Sequence, residues 1–191
     1  MQRRPILWNR SRRFASLSLP AIWLFLALCC TQEYKDPLPK ATQEGKNTFG
    51  CKINGKPWVP DGGTGFQATK PITGGFNLLG ENPPIRRIWI RTRSKDRQGI
   101  HLQLNETNVG EHLLNENTQI RPYALFSKDY GMYQTGNSTY TTSSNFTGKI
   151  TITKADTITG VLAGTFDFTV GNSSGTTYKI TEGRFDIKSP Q

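Results

Sequence analysis

Residues 158–170 read I-T-G-V-L-A-G-T-F-D-F-T-V, in which apolar and polar side chains alternate with a period of two. Successive side chains of a β-strand point to opposite faces of the sheet, so this period predicts a strand with one buried and one solvated face. The apolar parity contains Ile158, Leu162, Phe166 and Phe168, and the polar parity contains Thr159, Thr165, Asp167 and Thr169.

The segments on either side of this strand continue the pattern. Residues 150–152 predict a preceding strand, joined to it through residues 154–156. In the last predicted strand, Ile180 and Phe185 have opposite parities. A β-bulge at residues 182–183 would return both side chains to one face, and the glycine there suits a bulge.

Further upstream, residues 86–93 and 99–105 flank a polar loop and predict a β-hairpin. Short strands between clusters of Gly, Asn and Ser, with no helical period, predict an all-β domain. This domain is expected to be an antiparallel β-sandwich or, alternatively, an open β-barrel. Pairing Ile90 with Leu102 directs one parity of the hairpin toward the core, namely Ile88, Ile90, Leu102 and Leu104.

A second tight turn is predicted at the start of the domain. Asn54-Gly55 stands between two apolar stretches, and this dipeptide favours a type I′ hairpin turn. Trp58 would then cover the core, beside Cys51 on the preceding strand. We expect Cys51 to be a buried, unreactive thiol, because neither histidine is near it in sequence to lower its pKa.

Two segments carry a family resemblance. Residues 47–60 read N-T-F-G-C-K-I-N-G-K-P-W-V-P, and the chain closes with G-T-F-D-F at 164–168 and I-T-E-G-R-F-D-I-K at 180–188. They resemble an uncharacterised family of small Bacteroidota lipoproteins whose domain begins with FGCxxNGxxW and ends on a GRFD strand. The resemblance implies an all-β, membrane-tethered domain in a bacterial envelope, and it implies no activity.

Residues 1–29 predict an export signal. Five arginines precede a charge-free stretch from Ala15 to Leu28, whose 14 residues fall within the signal-peptide range and are too few to span a bilayer. Two cysteines follow directly, as in bacterial lipoproteins, where the leader is cut before a cysteine that receives acyl chains such as palmitate. We expect acylation of Cys30, with Cys29 as the alternative, and ordinary secretory cleavage is the other interpretation.

This leader changes the interpretation of the charge. Without its five arginines, 19 Lys and Arg stand against 14 Asp and Glu, so the net charge is +5 instead of +10. That balance lacks the dense basic stripe of a nucleic-acid-binding protein. Residues 30–47 are polar and interrupted by Pro and Gly, which predicts a flexible tether between the anchor and a single domain at 48–188.

Motifs of known enzymes and cofactor sites are missing. His101 and His112 are not part of a ligand cluster, so the sequence predicts neither a metal nor a cofactor. Asp167 and Asp186 fall on the predicted solvated face of the last strands. They could act as the acid and base of a glycan hydrolase, although solvated strand charge is the simpler interpretation.

One surface is a candidate binding site. On the hairpin face opposite the core, an exposed Trp would stand among cationic and amide side chains, which suits stacking on sugar rings or holding anionic groups. A second layer could instead cover this Trp while the arginines reach water. The candidate residues are Arg87, Trp89, Arg91, Arg93, His101 and Gln103.

The sequence therefore predicts a non-enzymatic β domain held to the bacterial outer membrane by a lipid, on a leaflet that the sequence does not specify. Its expected partners are the membrane and a ligand, either a glycan or another envelope protein, with no nucleic acid. A glycan-directed hydrolase and a purely structural accessory lipoprotein are the alternatives.

Overall fold

The computed structural model describes residues 36–63, 70–79, 85–115 and 129–189, and the regular structure in these ranges is entirely β-strand. The predicted all-β class is confirmed. In chain order the strands are β1 (Thr48–Ile53), β2 (Lys56–Trp58), β3 (Ile72–Leu79), β4 (Ile85–Thr92), β5 (Gln98–Leu104), β6 (Gly110–Leu113), β7 (Tyr130–Thr135), β8 (Ser138–Thr141), β9 (Gly148–Asp156), β10 (Val161–Gly171) and β11 (Thr177–Lys188).

These strands form one open antiparallel sheet that branches at β10. The main path runs β2-β1-β11-β10-β8-β7-β5-β4-β3, while β9 pairs with β10 and β6 pairs with β9. β11 pairs with one edge of β10. On the other edge, β9 pairs with residues 161–168 and β8 pairs with Gly171. Tyr133 on β7 packs against Tyr178 on β11, with ring centroids 4.8 Å apart. The strands on the β11 side of β10 and those on the β8 side thus face one another across a single apolar core.

The β4–β5 hairpin has the predicted register. Ile90 pairs with Leu102 and Ile88 pairs with Leu104. All four side chains are at most 1% exposed and belong to the core cluster. The parity of this hairpin is therefore confirmed, and it places the candidate residues on the opposite face.

The prediction for β10 is right except at its start. Leu162, Phe166 and Phe168 are buried, but Ile158 is 83% exposed and lies in the turn before the strand. β9 continues to Asp156, so residues 154–156 belong to a strand and the turn follows them. The Asp156 carboxylate accepts hydrogen bonds from the amides of Ile158 and Thr159, which explains why the chain turns there.

The predicted bulge in β11 is present. The pairing register shifts between Gly50 and Lys52 on one side and between Phe166 and Phe168 on the other. The positive φ of the bulge, 53°, is at Glu182 and not at the glycine. Gly183 is needed for space, because a Cβ atom there would lie 2.4 Å from the Phe166 ring.

The turn that follows β1 also agrees with its prediction. Asn54 and Gly55 have φ angles of 49° and 80°, both positive, as a type I′ turn requires. Trp58 packs edge-on against Phe49, with ring centroids 6.2 Å apart. Cys51 is fully buried, and burial raises the pKa of its thiol above the usual range.

Residues 36–46 lie against the domain, where a flexible tether was expected. Leu38 is only 4% exposed. The Asp186 carboxylate accepts a hydrogen bond from the Thr42 hydroxyl at 2.5 Å and from the Gly45 amide at 2.7 Å. It also accepts hydrogen bonds from the amides of Glu44 and Lys46. The predicted leader, Cys29, Cys30 and the first part of the tether lie outside the described residues.

Candidate functional site

The candidate residues stand together on the outer face of the β4–β5 hairpin. Arg87, Trp89 and Arg91 alternate along β4 with the core residues. Trp89 pairs with Gln103, and Arg91 pairs with His101. The structure therefore brings the predicted set together, and the set is completed by Arg93, which follows the last residue of β4.

Neighbouring strands extend this surface. Asn77 on β3 pairs with Arg87, and Tyr130 on β7 pairs with Gln103. The loop between β4 and β5 adds Arg97. We call the complete surface the cationic face, which consists of Asn77, Arg87, Trp89, Arg91, Arg93, Arg97, Gln98, His101, Gln103, Tyr130 and Gln134.

Two adjoining cavities indent the cationic face. The first, of about 240 Å³, is lined by residues that include Arg87, Trp89 and Tyr130. The second, of about 250 Å³, is lined by residues that include Arg93 and Arg97. Arg91 and His101 line both cavities, so the two form one elongated groove.

Within the ranges that the structure describes, no carboxylate balances the positive charge of this groove. Among the described residues, no ion pair involves any arginine of the cationic face. No Asp or Glu side chain lines either cavity. Elsewhere on the domain, Lys52, Lys149 and Arg184 each pair with a carboxylate at 2.6–2.9 Å. The groove thus differs from these three places, where a carboxylate balances the positive charge.

Arg87 has a further unsatisfied group. Its Nε atom is buried and has no hydrogen-bond partner among the described residues. A buried donor without an acceptor costs roughly 1–3 kcal/mol, and more when the group is charged. A guanidinium held in this way is suited to an acceptor supplied by a ligand.

The histidine of the groove is held neutral. Burial lowers the pKa of His101 to about 4, and the nearby charges of Arg91 and Arg93 act in the same direction. Burial also raises the pKa of Tyr130, against the opposing effect of Arg91 and Arg87. At neutral pH both side chains therefore present uncharged hydrogen-bonding groups beside the guanidinium groups.

Trp89 lies between the groove and a third cavity. It is half-buried, so it is neither fully covered nor freely exposed. On one side it lines the groove, and on the other it lines a third cavity of about 410 Å³ with Ile72 and Ile187. Lys70 and Lys188 also line this third cavity.

The carboxylates Asp167 and Asp186 do not form a catalytic pair. Asp167 is exposed, but the prediction that Asp186 is solvated is wrong. Asp186 lies opposite the core, as its parity indicates, and residues 42–46 cover it. In the sheet it pairs with Ala163, four residues from Asp167 and therefore roughly 13 Å away along β10. Glycosidase carboxylates stand at most about 9.5 Å apart.

The described part of the chain shows no metal site or spanning helix. No group of three or more His, Cys, Asp or Glu side chains is placed to hold a metal ion within residues 36–63, 70–79, 85–115 and 129–189. Over the same ranges, we find no helix that is long and apolar enough to cross a membrane.

Sequence reasoning missed several residues of the groove. Asn77 and Tyr130 join it through the order of the strands, which local periodicity does not give. Arg97 belongs to the hairpin loop and has no strand parity. Its positive φ of 61°, which turns the loop back toward β5, leaves no signal in the residue itself.

Comparison with known proteins identifies a family for this chain. No curated protein and no solved structure matches the chain. Residues 86–187 match a family described as a domain of unknown function, DUF6252. This range is more than half of the chain and includes the β4–β5 hairpin except for Ile85, whereas β1, β2 and β3 lie before it. The chain therefore belongs to the DUF6252 family.

Proposed function

We propose that the protein is a lipid-anchored, non-enzymatic protein of the bacterial envelope whose β domain binds an anionic ligand at the cationic face. The observation that carries the proposal is the row of arginines that have no carboxylate partner in the described part of the chain. A guanidinium is a planar group with several donors, and it recognises carboxylate, sulfate or phosphate through paired hydrogen bonds. The buried Nε of Arg87 adds a donor that needs such an acceptor.

Binding of a simple anion tests the site. The full chain, purified in a non-ionic detergent, is titrated with pyrophosphate by calorimetry. We expect saturable binding that Arg91→Gln weakens at least tenfold, because Arg91 lines both cavities. Arg86→Gln is the matched control, because it removes the same charge from an exposed β4 residue that lines neither cavity. Equal weakening by both variants would reject a specific site.

The envelope location rests on the leader and on the resemblance to Bacteroidota lipoproteins. Labelling cells with an alkyne fatty acid should mark the wild-type protein. The mark should disappear in a Cys29→Ser/Cys30→Ser double variant and persist in Cys51→Ser, because Cys51 is buried in the core. An unlabelled wild-type protein would refute the anchor and leave the binding site untouched.

A further inference from the structure

The shape of the cationic groove restricts the ligand. Along β4, Arg87 and Arg91 lie four residues apart, or about 13 Å, and Arg93 follows about 7 Å further on. The two cavities adjoin along this direction and share Arg91 and His101. A single small anion could contact only part of such a row. A chain molecule with repeated anionic groups could contact all of it.

The uncharged residues of the groove point to a hydroxyl-rich chain. Trp89 and Tyr130, both half-buried, line the first cavity and present aromatic rings on which the apolar face of a sugar can stack. Amide side chains line both cavities and supply donors and acceptors for hydroxyl groups. They are Asn77, Gln103 and Gln134, whereas the Gln98 amide is already hydrogen-bonded to Asp96 and Tyr133.

We propose that the cationic groove binds an acidic polysaccharide, a glycan chain that carries carboxylate or sulfate groups on successive sugars. The proposal rests on the anion-binding function given above and adds the class of ligand. Arg87, Arg91 and Arg93 hold the anionic groups, while Trp89 holds a sugar ring between them. The neutral state of His101 leaves its ring nitrogens available for hydroxyl groups.

Single-stranded nucleic acid is the competing chain molecule, because it also combines repeated anions with rings that stack. Proteins that bind it without sequence preference carry several aromatic platforms along a strongly basic groove. The cationic face has two aromatic residues, both in the first cavity. The chain after the leader has a net charge of only +5. The small number of aromatic residues and the low net charge therefore favour the glycan.

The experiment measures, by calorimetry, how tightly each of five probes binds to the full chain in non-ionic detergent. The probes are a heparin hexasaccharide, a hexamer of galacturonic acid, a neutral maltohexaose, sodium sulfate and a six-nucleotide oligothymidylate. We expect at least one acidic hexasaccharide to bind tenfold or more tightly than sulfate, maltohexaose and oligothymidylate. Arg91→Gln and Trp89→Ala should each weaken that binding at least tenfold, whereas Arg86→Gln should change it less than twofold.

Other outcomes overturn the proposal in distinguishable ways. If sulfate binds as tightly as both acidic hexasaccharides, the anion site stands and the polysaccharide is rejected. If oligothymidylate binds tightest, the ligand is a nucleic acid. If Trp89→Ala weakens binding only in proportion to a loss of folded protein, measured by circular dichroism, then Trp89 does not hold a sugar. If no anionic probe binds, the anion-binding function and the polysaccharide both fail.

Discussion

Ile90 and Arg91 are neighbours on β4 whose side chains meet opposite environments. Ile90 is 1% exposed in the core, whereas Arg91 is exposed on the cationic face. Ile90→Ala should lower the free energy of unfolding by about 2–5 kcal/mol, because it leaves a cavity. Arg91→Ala should change it by about 0.5 kcal/mol. Urea unfolding of both variants checks this, and comparable losses would mean that the register is wrong.

His101 offers a prediction about pH. Its pKa of about 4 in the folded protein lies below the ordinary value of 6.5, so the unfolded chain binds the proton more readily. The free energy of unfolding therefore decreases as the pH falls from about 6.5 to about 4, and His101 accounts for at most about 3 kcal/mol of this decrease. NMR titration of the ring should give the low pKa directly. Arg91→Gln should raise that pKa, and a wild-type value near 6.5 would contradict a buried ring.

At the scale of elements, residues 42–46 and β11 depend on one another through Asp186. Burial opposes ionisation of this carboxyl, but the hydrogen bonds from Thr42 and three backbone amides outweigh it and hold the pKa below its ordinary value. Because the folded-state pKa is depressed, this stabilisation is present above the unfolded value near 4. It is lost as the pH falls through the lower folded value.

Asp186→Asn should lower the free energy of unfolding by about 3 kcal/mol, because an amide nitrogen would face backbone donors in a buried site. Asp167→Asn is the matched control on the neighbouring strand, where the carboxylate is exposed. Thermal unfolding of the two variants measures the difference. Equal effects would show that the contacts of Asp186 contribute nothing to stability.

A shortened chain tests the same contact from the other partner. A chain that begins at Asn47 lacks every donor to Asp186 that residues 42–46 supply. It should unfold at a lower urea concentration than a chain that begins at Asp36, and Asp186→Asn should add little further loss to it. An Asn47 chain as stable as the longer one would make residues 36–46 a tether after all.

For the whole molecule, local patterns predicted those parts of the fold that depend on neighbouring residues. Parity gave the register of Ile90 with Leu102 and the position of the bulge near Gly183, and the Asn54-Gly55 dipeptide gave the turn after β1. Parity failed at Ile158, because the alternation in the sequence begins before the strand itself, which starts at Val161.

Long-range contacts had no such signal. The cover over Asp186 comes from a polar segment more than 140 residues away, and that segment has no periodicity of its own. Likewise Asn77 and Tyr130 reach the groove only because β3 and β7 flank the hairpin in the sheet. The candidate site was thus predicted where it lies on one hairpin and was missed where it depends on strand order.

The central claim is that the cationic face binds anions, and the arginine side chains can report this directly. The measurement is a two-dimensional NMR titration of the arginine Nε–H signals of the full chain with pyrophosphate. We expect the signals of Arg87 and Arg91 to shift and saturate together, while those of Arg86 and the Asp36-paired Arg184 remain in place. Small, unsaturated shifts of similar size at all four arginines would contradict the claim.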